Sequence, residues 1–357
     1  MEQLPDVKRT LKNIKRIKNP AEPREEYLRL DKNENLVPFP DSFLEKLAGV
    51  ITEGFVSKYP ELDSTYKKIA EWLGVKPSNI FITAGSDAAI KAVFEVFVSE
   101  NDMVAMINPT YAMYYVYANI FGASIVNIDF PKDLDLRAET IIEHLGNRRI
   151  RLLCLANPNS PTGTVIDNAG LESIIKAAEK RGTVVILDEA YSMYYKETGI
   201  PWTGKYKNLV VTRTFSKAMG LASCRIGFAC AHEDMIQALH SVRPMYETNA
   251  FGGRFAELVL DHPEIFNRNA EITLAGKEYI EKKLDEKGIK YFKSHTNFLL
   301  IDVGSKEKSA DIVKKMKAKK VLIGGSFNHP GLDTCIRITA GPKDVMARFF
   351  SYLEEML

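Results

Sequence analysis

From about residue 80 to residue 231 the chain alternates short apolar runs with amphipathic stretches, and no other feature constrains its fold as strongly. The runs FIT (81–83), MVAMINP (103–109), SIVNIDF (124–130), RLLCLANP (151–158), TVVILDEAY (183–191), NLVVTRTFS (208–216) and RIGFACA (225–231) are punctuated by glycine and proline. Between them AAIKAVFEVF (88–97) and LESIIKAAEKRG (171–182) repeat their apolar residues at helical spacing. Continuous apolar strands are buried on both faces, so the pattern predicts an α/β fold: a large domain with a mostly parallel sheet between helices. After VRPMYETNAFGG (242–253) the reading changes. One long helical stretch to about residue 287 precedes TNFLLIDV (296–303), a Lys-rich helix, VLIGG (321–325), CIRITAG (335–341) and a final helix, which predicts a smaller α+β domain. A chain of 357 residues is also longer than a single core usually supports.

Charge narrows the partners. With 48 basic and 46 acidic residues the net charge is +2, so neither nucleic acid nor an anionic membrane is expected, and small diffusible ligands are. The cysteines Cys154, Cys224, Cys230 and Cys335 are scattered without a CxxC pair, which reads as buried thiols in a reducing, cytoplasmic setting. The basic start, MEQLPDVKRTLKNIKRIKNP, lacks an apolar core of signal-peptide length, and no later stretch is long enough to span a bilayer. Within it Val7, Leu11, Ile14 and Ile17 recur at helical spacing, the pattern of a helix packed on the body or on a partner subunit. The six histidines form no HExxH, so no metal is expected. No GxGxxG opens a helix after an early strand, which disfavours a nicotinamide enzyme.

In doubly wound sheets ligands bind where strands end. Lys217, in RTFSKAMGLASCRIGF (213–228), follows an apolar strand and precedes small residues, a partly desolvated setting in which lysine becomes an imine-forming nucleophile. Thr214 lies three residues before it and Arg225 eight after, so hydroxyls and a guanidinium can surround one anion beside the lysine. A second anion cradle is Gly85-Ser86-Asp87, which opens a helix whose first N–H groups can bind phosphate. Asp188 ends a buried strand and needs a cationic or donor partner, for which a protonated pyridine nitrogen would serve. Tyr191 can hydrogen-bond a phenolate oxygen, and Tyr111 offers a face for an aromatic ring. A lysine, a phosphate cup, an acid for a ring nitrogen and a stacking aromatic together describe a site for pyridoxal 5'-phosphate.

With these residues in place the chain resembles the fold type I pyridoxal-phosphate enzymes, and among them the histidinol-phosphate aminotransferases. The resemblance is carried in order by LDKNEN (30–35), KYPE (58–61), GSDAAI (85–90), NPTYAMY (108–114), NPNSPTG (157–163), DEAY (188–191), RTFSKAMGLASCRIG (213–227), TNF (296–298) and CIRITAG (335–341). It implies that Lys217 bonds the cofactor aldehyde, that Asp188 pairs with the pyridine nitrogen, that Tyr191 touches the phenolic oxygen and that Tyr111 stacks on the ring. Gly85, Ser86, Asp87, Thr214, Ser216 and Arg225 are implied at the phosphate, which Tyr59 would reach in the neighbouring subunit of a homodimer. Arg337 would clamp a substrate carboxylate or phosphate, with Asn297 and Asn35 also on the substrate side. The domains expected are residues 1–45, a segment joining the small domain; 46–245, the large cofactor-binding domain; and 246–357, the small C-terminal domain.

Three positions depart from the family pattern. The asparagine that usually precedes PTG is Ser160, leaving Ser160, Asn159 or Asn157 to contact the phenolic oxygen. Val37 stands where the family has a tyrosine for substrate phosphate, and Gly324 where it has a second substrate-binding arginine. An arginine contact to an anion contributes roughly 1.5–3 kcal/mol, so the expected reaction is transamination, with glutamate as donor, of a small keto or aldehyde acceptor, phosphorylated or not, other than the histidinol phosphate pair. The rival expectation keeps the cofactor and breaks a different bond: decarboxylation of a phosphorylated amino acid such as serine or threonine phosphate. A regulator of this fold would need a DNA-binding module, for which the segment before LDKNEN is too short.

Overall fold

The computed structural model describes residues 6–12, 14, 23–52, 54–325, 327 and 329–357. It contains twelve strands among these residues: β1 (Leu28–Leu30), β2 (Ile80–Thr83), β3 (Met103–Asn108), β4 (Ser124–Asp129), β5 (Ile150–Ala156), β6 (Val184–Asp188), β7 (Leu209–Thr214), β8 (Gly227–Ala231), β9 (Tyr291–Phe292), β10 (Phe298–Asp302), β11 (Val321–Gly325) and β12 (Cys335–Thr339). Seven form one sheet in the order β2-β8-β7-β6-β5-β3-β4. All its pairings are parallel except the two made by β8, which runs against both β7 and β2.

Period-two alternation distributes the strand side chains over two apolar layers. Leu153, Leu155, Val185 and Leu187 pack with Ile141, Leu171 and Ile174 on one face. Leu152, Cys154, Ile186 and Val210 pack with Ile90, Val93, Phe94 and Tyr114 on the other. Burial on both faces is why these strands read as unbroken apolar runs, and the α/β expectation holds.

The second sheet has the order β1-β11-β12-β10-β9. Its first strand comes from near the start of the chain and lies parallel to β11, with Leu30 opposite Ile323. The predicted continuous helix before residue 287 is two helices, Ala250–Asp261 and Pro263–Glu286, because Pro263 has no N–H to continue the first and suits the opening of the second. The longer helix joins the layers: Ile265 and Phe266 near its start belong to the large core, Ile280 and Leu284 near its end to the small one. Ala256 and Val259, which precede it, also pack in the large core. Phe43 and Leu47, of the helix Asp41–Gly49, are likewise on the large side.

At the start of the chain Arg9–Leu11 is a short 3-10 turn beside the helix Ala112–Ile120, and the later part of the helix expected there, including Ile17, lies outside the described residues. No helix among the described residues is long and apolar enough to cross a membrane.

Candidate active site

Every parallel strand of the large sheet's centre ends at one edge, and the antiparallel β8 begins there. That single topological fact gathers Ser86 and Asp87 after β2, Tyr111 after β3, Ser160 after β5, Asp188 and Tyr191 at and after β6, Ser216 and Lys217 after β7, and Arg225 before β8 around one cleft.

Glycine makes the approach possible on one side. Gly227 pairs with both Thr83 and Thr214, and a Cβ there would lie 2.3 Å from the Ser86 nitrogen. Gly85 has φ 87°, and a Cβ on it would lie 2.6 Å from Arg225 Nη2. These two positions let the N-terminus of the helix Ser86–Phe97 face the guanidinium. That N-terminus has no side-chain cap. Arg225 itself sits at φ 50°, and its guanidinium donates only long bonds, 3.3 and 3.4 Å, to the carbonyls of Ala222 and Ala84. Thr214 Oγ1 accepts from the Ser216 N–H at 3.1 Å and donates to the Ser216 hydroxyl at 2.9 Å, which leaves the Ser216 proton free for another acceptor. Uncapped amides, a hydroxyl and a guanidinium without a carboxylate form a cup for an anion.

Asp188 stands opposite in chemistry. Its carboxylate is buried and accepts from the Tyr114 hydroxyl at 2.9 Å and the Ala190 N–H at 3.1 Å. Desolvation outweighs these donors and pushes its pKa up to about 6 from 3.8. Tyr114 was not singled out in the sequence; the signal available was its position three residues after Tyr111 in the helix that follows β3, which turns it toward the sheet. Burial beside Asp188 holds the Tyr114 phenol protonated, well above its usual range. A Tyr114→Phe protein should lose roughly 1.5–3 kcal/mol of stability at pH 8, where the bond is to a carboxylate, and less at pH 5, where Asp188 is protonated. Chemical denaturation at the two pH values checks this.

Lys217 lies in a turn closed by the Gly220 N–H on its carbonyl, and Asn269 donates to the Ala218 carbonyl from the long helix at 2.9 Å. Its Nζ lies 5.5 Å from the Tyr191 ring centre and donates to the carbonyls of Asn33 (3.1 Å) and Lys32 (3.3 Å). Tyr111 stands edge-on to Tyr114, with its hydroxyl 3.5 Å from Asp87.

From the second sheet Arg337 on β12 donates to the Asp31 carbonyl at 2.9 Å and reaches Ser160 Oγ at 3.5 Å, while its buried Nε has no partner. Asn297 donates to the Asn33 carbonyl and leaves its own buried carbonyl oxygen unpaired.

Three asparagines considered for the site, Asn159, Asn157 and Asn35, are bonded elsewhere. The Asn159 amide is consumed inside its loop, accepting from Thr110 and donating to Pro109 and Thr162. Asn157 likewise pairs with the Ile166 backbone, so Ser160 alone of the three faces the cleft. Asn35 closes a turn on Val37, bonding both its N–H and its carbonyl. Tyr59 is 74% exposed, stacked on Tyr246 at 4.2 Å, and does not line the cleft of its own chain.

The family described as aminotransferase class I and II matches residues 25–353. A histidinol-phosphate aminotransferase of Caldanaerobacter subterraneus subsp. tengcongensis is 31% identical over 332 residues, covering 92% of this chain and 93% of the relative. One from Thermoanaerobacter pseudethanolicus is 31% identical over 333 residues, with the same coverage. The crystal structure of histidinol-phosphate aminotransferase from Sinorhizobium meliloti in complex with pyridoxal-5'-phosphate superposes with a TM-score of 0.91 at 23% identity, covering 99% of this chain and 98% of that one. The chain belongs to the class I and II aminotransferases, in the histidinol-phosphate aminotransferase-like group: it is a fold type I transaminase that depends on pyridoxal phosphate. Its own residues fit that cofactor: an anion cup, a buried carboxylate lacking a cation and an amine line the same cleft.

Proposed function

We propose that this aminotransferase moves an amino group from glutamate to a small keto or aldehyde acceptor whose anionic group, a carboxylate or a phosphate, sits on Arg337, and that histidinol phosphate is not its preferred amino compound. The observation that carries the substrate reading is the strand pair β11–β12. Gly324 lies directly opposite Arg337, and a Cβ at Gly324 would come within 3.6 Å of Arg337 Nε. A side chain at that position would stand beside the guanidinium; glycine supplies none. Val37 is buried, 3% exposed, and offers no hydroxyl.

Bound pyridoxal phosphate supplies an aldehyde that bonds amines and a ring that withdraws electrons from the bonded carbon. The chain's residues do the rest. Ser86, Asp87, Thr214, Ser216 and Arg225 bind the phosphate through the cup described above, and Gly85 permits their approach. Asp188 holds a proton on the ring nitrogen because its buried carboxylate lacks a cation. Tyr111 would cover one face of a bound ring, and the Tyr191 hydroxyl and Ser160, which line the same cleft, would contact its phenolic oxygen. Lys217, once its amine is free, carries the proton between substrate and cofactor carbons. Arg337, with Asn297 behind it, orients donor and acceptor in turn by the anion they share.

A second copy of the chain completes the site in this reading. Ile51, Val56, Tyr59, Met245 and Tyr246 are exposed apolar side chains, and Tyr59 would contact the phosphate bound by the neighbour. The domains are proposed as residues 1–45, a segment joining the small domain, 46–245, the large cofactor-binding domain, and 246–357, the small domain, with the helix Pro263–Glu286 packing on both cores. A cytoplasmic location accords with the free cysteines.

The test follows the bound cofactor's absorbance while glutamate is added, then surveys phosphorylated and carboxylated oxo compounds for return of the original spectrum, with histidinol phosphate as comparator donor. Glutamate is expected to change the spectrum, and histidinol phosphate to give a kcat/KM roughly tenfold or more below the best substrate, the value of one lost charged contact. Histidinol phosphate outperforming every other amine would overturn the substrate reading.

A further inference from the structure

The hydrogen bonds around Asn33 have a direction, and that direction ends in the cleft. Asn33 is 3% exposed and has φ 56°, a left-handed conformation that asparagine tolerates better than other side chains. Its backbone N–H donates to Thr339 Oγ1 at 3.0 Å, at the end of β12. Having accepted there, the Thr339 hydroxyl donates to Asn33 Oδ1 at 3.5 Å. The amide oxygen is thereby the acceptor side, so Nδ2 is the group turned to Tyr191, donating to its oxygen at 2.8 Å. A phenol oxygen that accepts from an amide sends its own hydrogen elsewhere. Among the described residues the Tyr191 hydroxyl donates to no protein acceptor, and Tyr191 is 7% exposed and lines the cleft.

We propose that Asn33 is a positioning residue that, with Thr339, makes Tyr191 an obligate donor to whatever oxygen sits at that wall of the cleft. The inference rests on the reading of Tyr191 as a contact to the cofactor's phenolic oxygen, and deepens it. An amide there excludes the opposite arrangement, in which Tyr191 would donate its proton away from the ligand. Thr339 lies two residues after Arg337 on β12, so the strand that holds the substrate anion also orients the phenol.

The test uses the cofactor-loaded enzyme and reads the pH midpoint of the bound cofactor's absorbance band and the cofactor Kd, alongside kcat/KM. A donor to a negatively charged oxygen favours its unprotonated form, so Tyr191→Phe should raise the midpoint by about one pH unit. Asn33→Gly keeps the left-handed backbone and deletes the amide; it should raise the midpoint in the same direction by less and lower kcat/KM roughly 3- to 10-fold. Asn33→Asp presents acceptors only and should reproduce the Tyr191→Phe spectrum, because the phenol then donates to the carboxylate. In the Tyr191→Phe background Asn33→Gly should change the midpoint no further. An equal shift by Asn33→Gly with and without the Tyr191 hydroxyl, or no shift in its presence, overturns the role of Asn33. No shift in Tyr191→Phe itself would overturn the Tyr191 reading first, so the two failures are distinguishable. Thermal unfolding of each variant reports folding independently, and Asn33→Gly carries the test if Asn33→Asp does not fold.

Discussion

A Lys217→Ala protein is expected to bind pyridoxal phosphate and to transfer almost no amino group, with kcat reduced by at least roughly 10³-fold. The two halves of this expectation come from separate parts of the cleft. Binding depends mainly on the anion cup, whose Ser86 amide, Thr214 and Ser216 hydroxyls and Arg225 guanidinium do not touch the Lys217 side chain. Turnover depends on the amine, which is held by the Lys32 and Asn33 carbonyls and against the Tyr191 ring. Borohydride reduction should fix the cofactor to the wild-type chain on the peptide containing Lys217 and leave the variant unlabelled. Small primary amines added to the variant should restore a fraction of the rate, since they can carry the proton without being tethered. A variant retaining a tenth of wild-type turnover, or labelling at a different lysine, would remove Lys217 from its assigned role.

The sequence was legible where chemistry coincides with a strand end. Lys217, Asp188 and Arg225 each sit next to a run whose periodicity identifies a strand, and the parallel topology then brings their ends together. Loops were less legible, since a side chain's direction there has no period. NPNSPTG offered three polar residues for one contact, and only the loop's internal bonding, which consumes Asn157 and Asn159, leaves Ser160 in the cleft. Asn35 was drawn away similarly by its bonds to Val37. Tyr114 was hidden because a tyrosine on the inner face of an apolar helix reads as core, and it is core: its ring packs in the large domain's second layer while its hydroxyl serves Asp188. The direction of the Asn33 bonds depends on Thr339, 306 positions away along the chain. No local pattern contains such a pair. The division expected near residue 246 has little local signal, because a single helix contributes its two ends to two cores and composition changes little along it.

Replacing Asp188 by asparagine should have two effects of opposite sign. In the cofactor-free protein the carboxyl's pKa is pushed up to about 6 by burial, against 3.8 for the ordinary group. Between these values the folded chain binds a proton that the unfolded chain has released, so stability falls as the pH rises. The contribution of the protonated group is fully present below about pH 4, is lost as the pH passes through about 6, and leaves a cost of about 3 kcal/mol above it. Asp188→Asn carries no charge to bury and keeps a carbonyl able to accept from Tyr114. The difference in unfolding free energy between the variant and the wild type should therefore grow in the variant's favour from pH 4 to pH 7 and then level off, which comparison of the two proteins by denaturant titration isolates from every other ionising group. Loading the cofactor reverses the balance. The ring nitrogen's cation then gives the wild-type carboxylate its partner, the wild type gains the stability it lacked, and the variant, unable to hold that proton, should lose roughly 10²–10³-fold in kcat. If the variant gained no stability at neutral pH, the carboxylate would not be the buried charge described. If it gained stability and kept its rate, Asp188 would be an ordinary strained core residue, and the electron-withdrawing ring would have to be held by some other group.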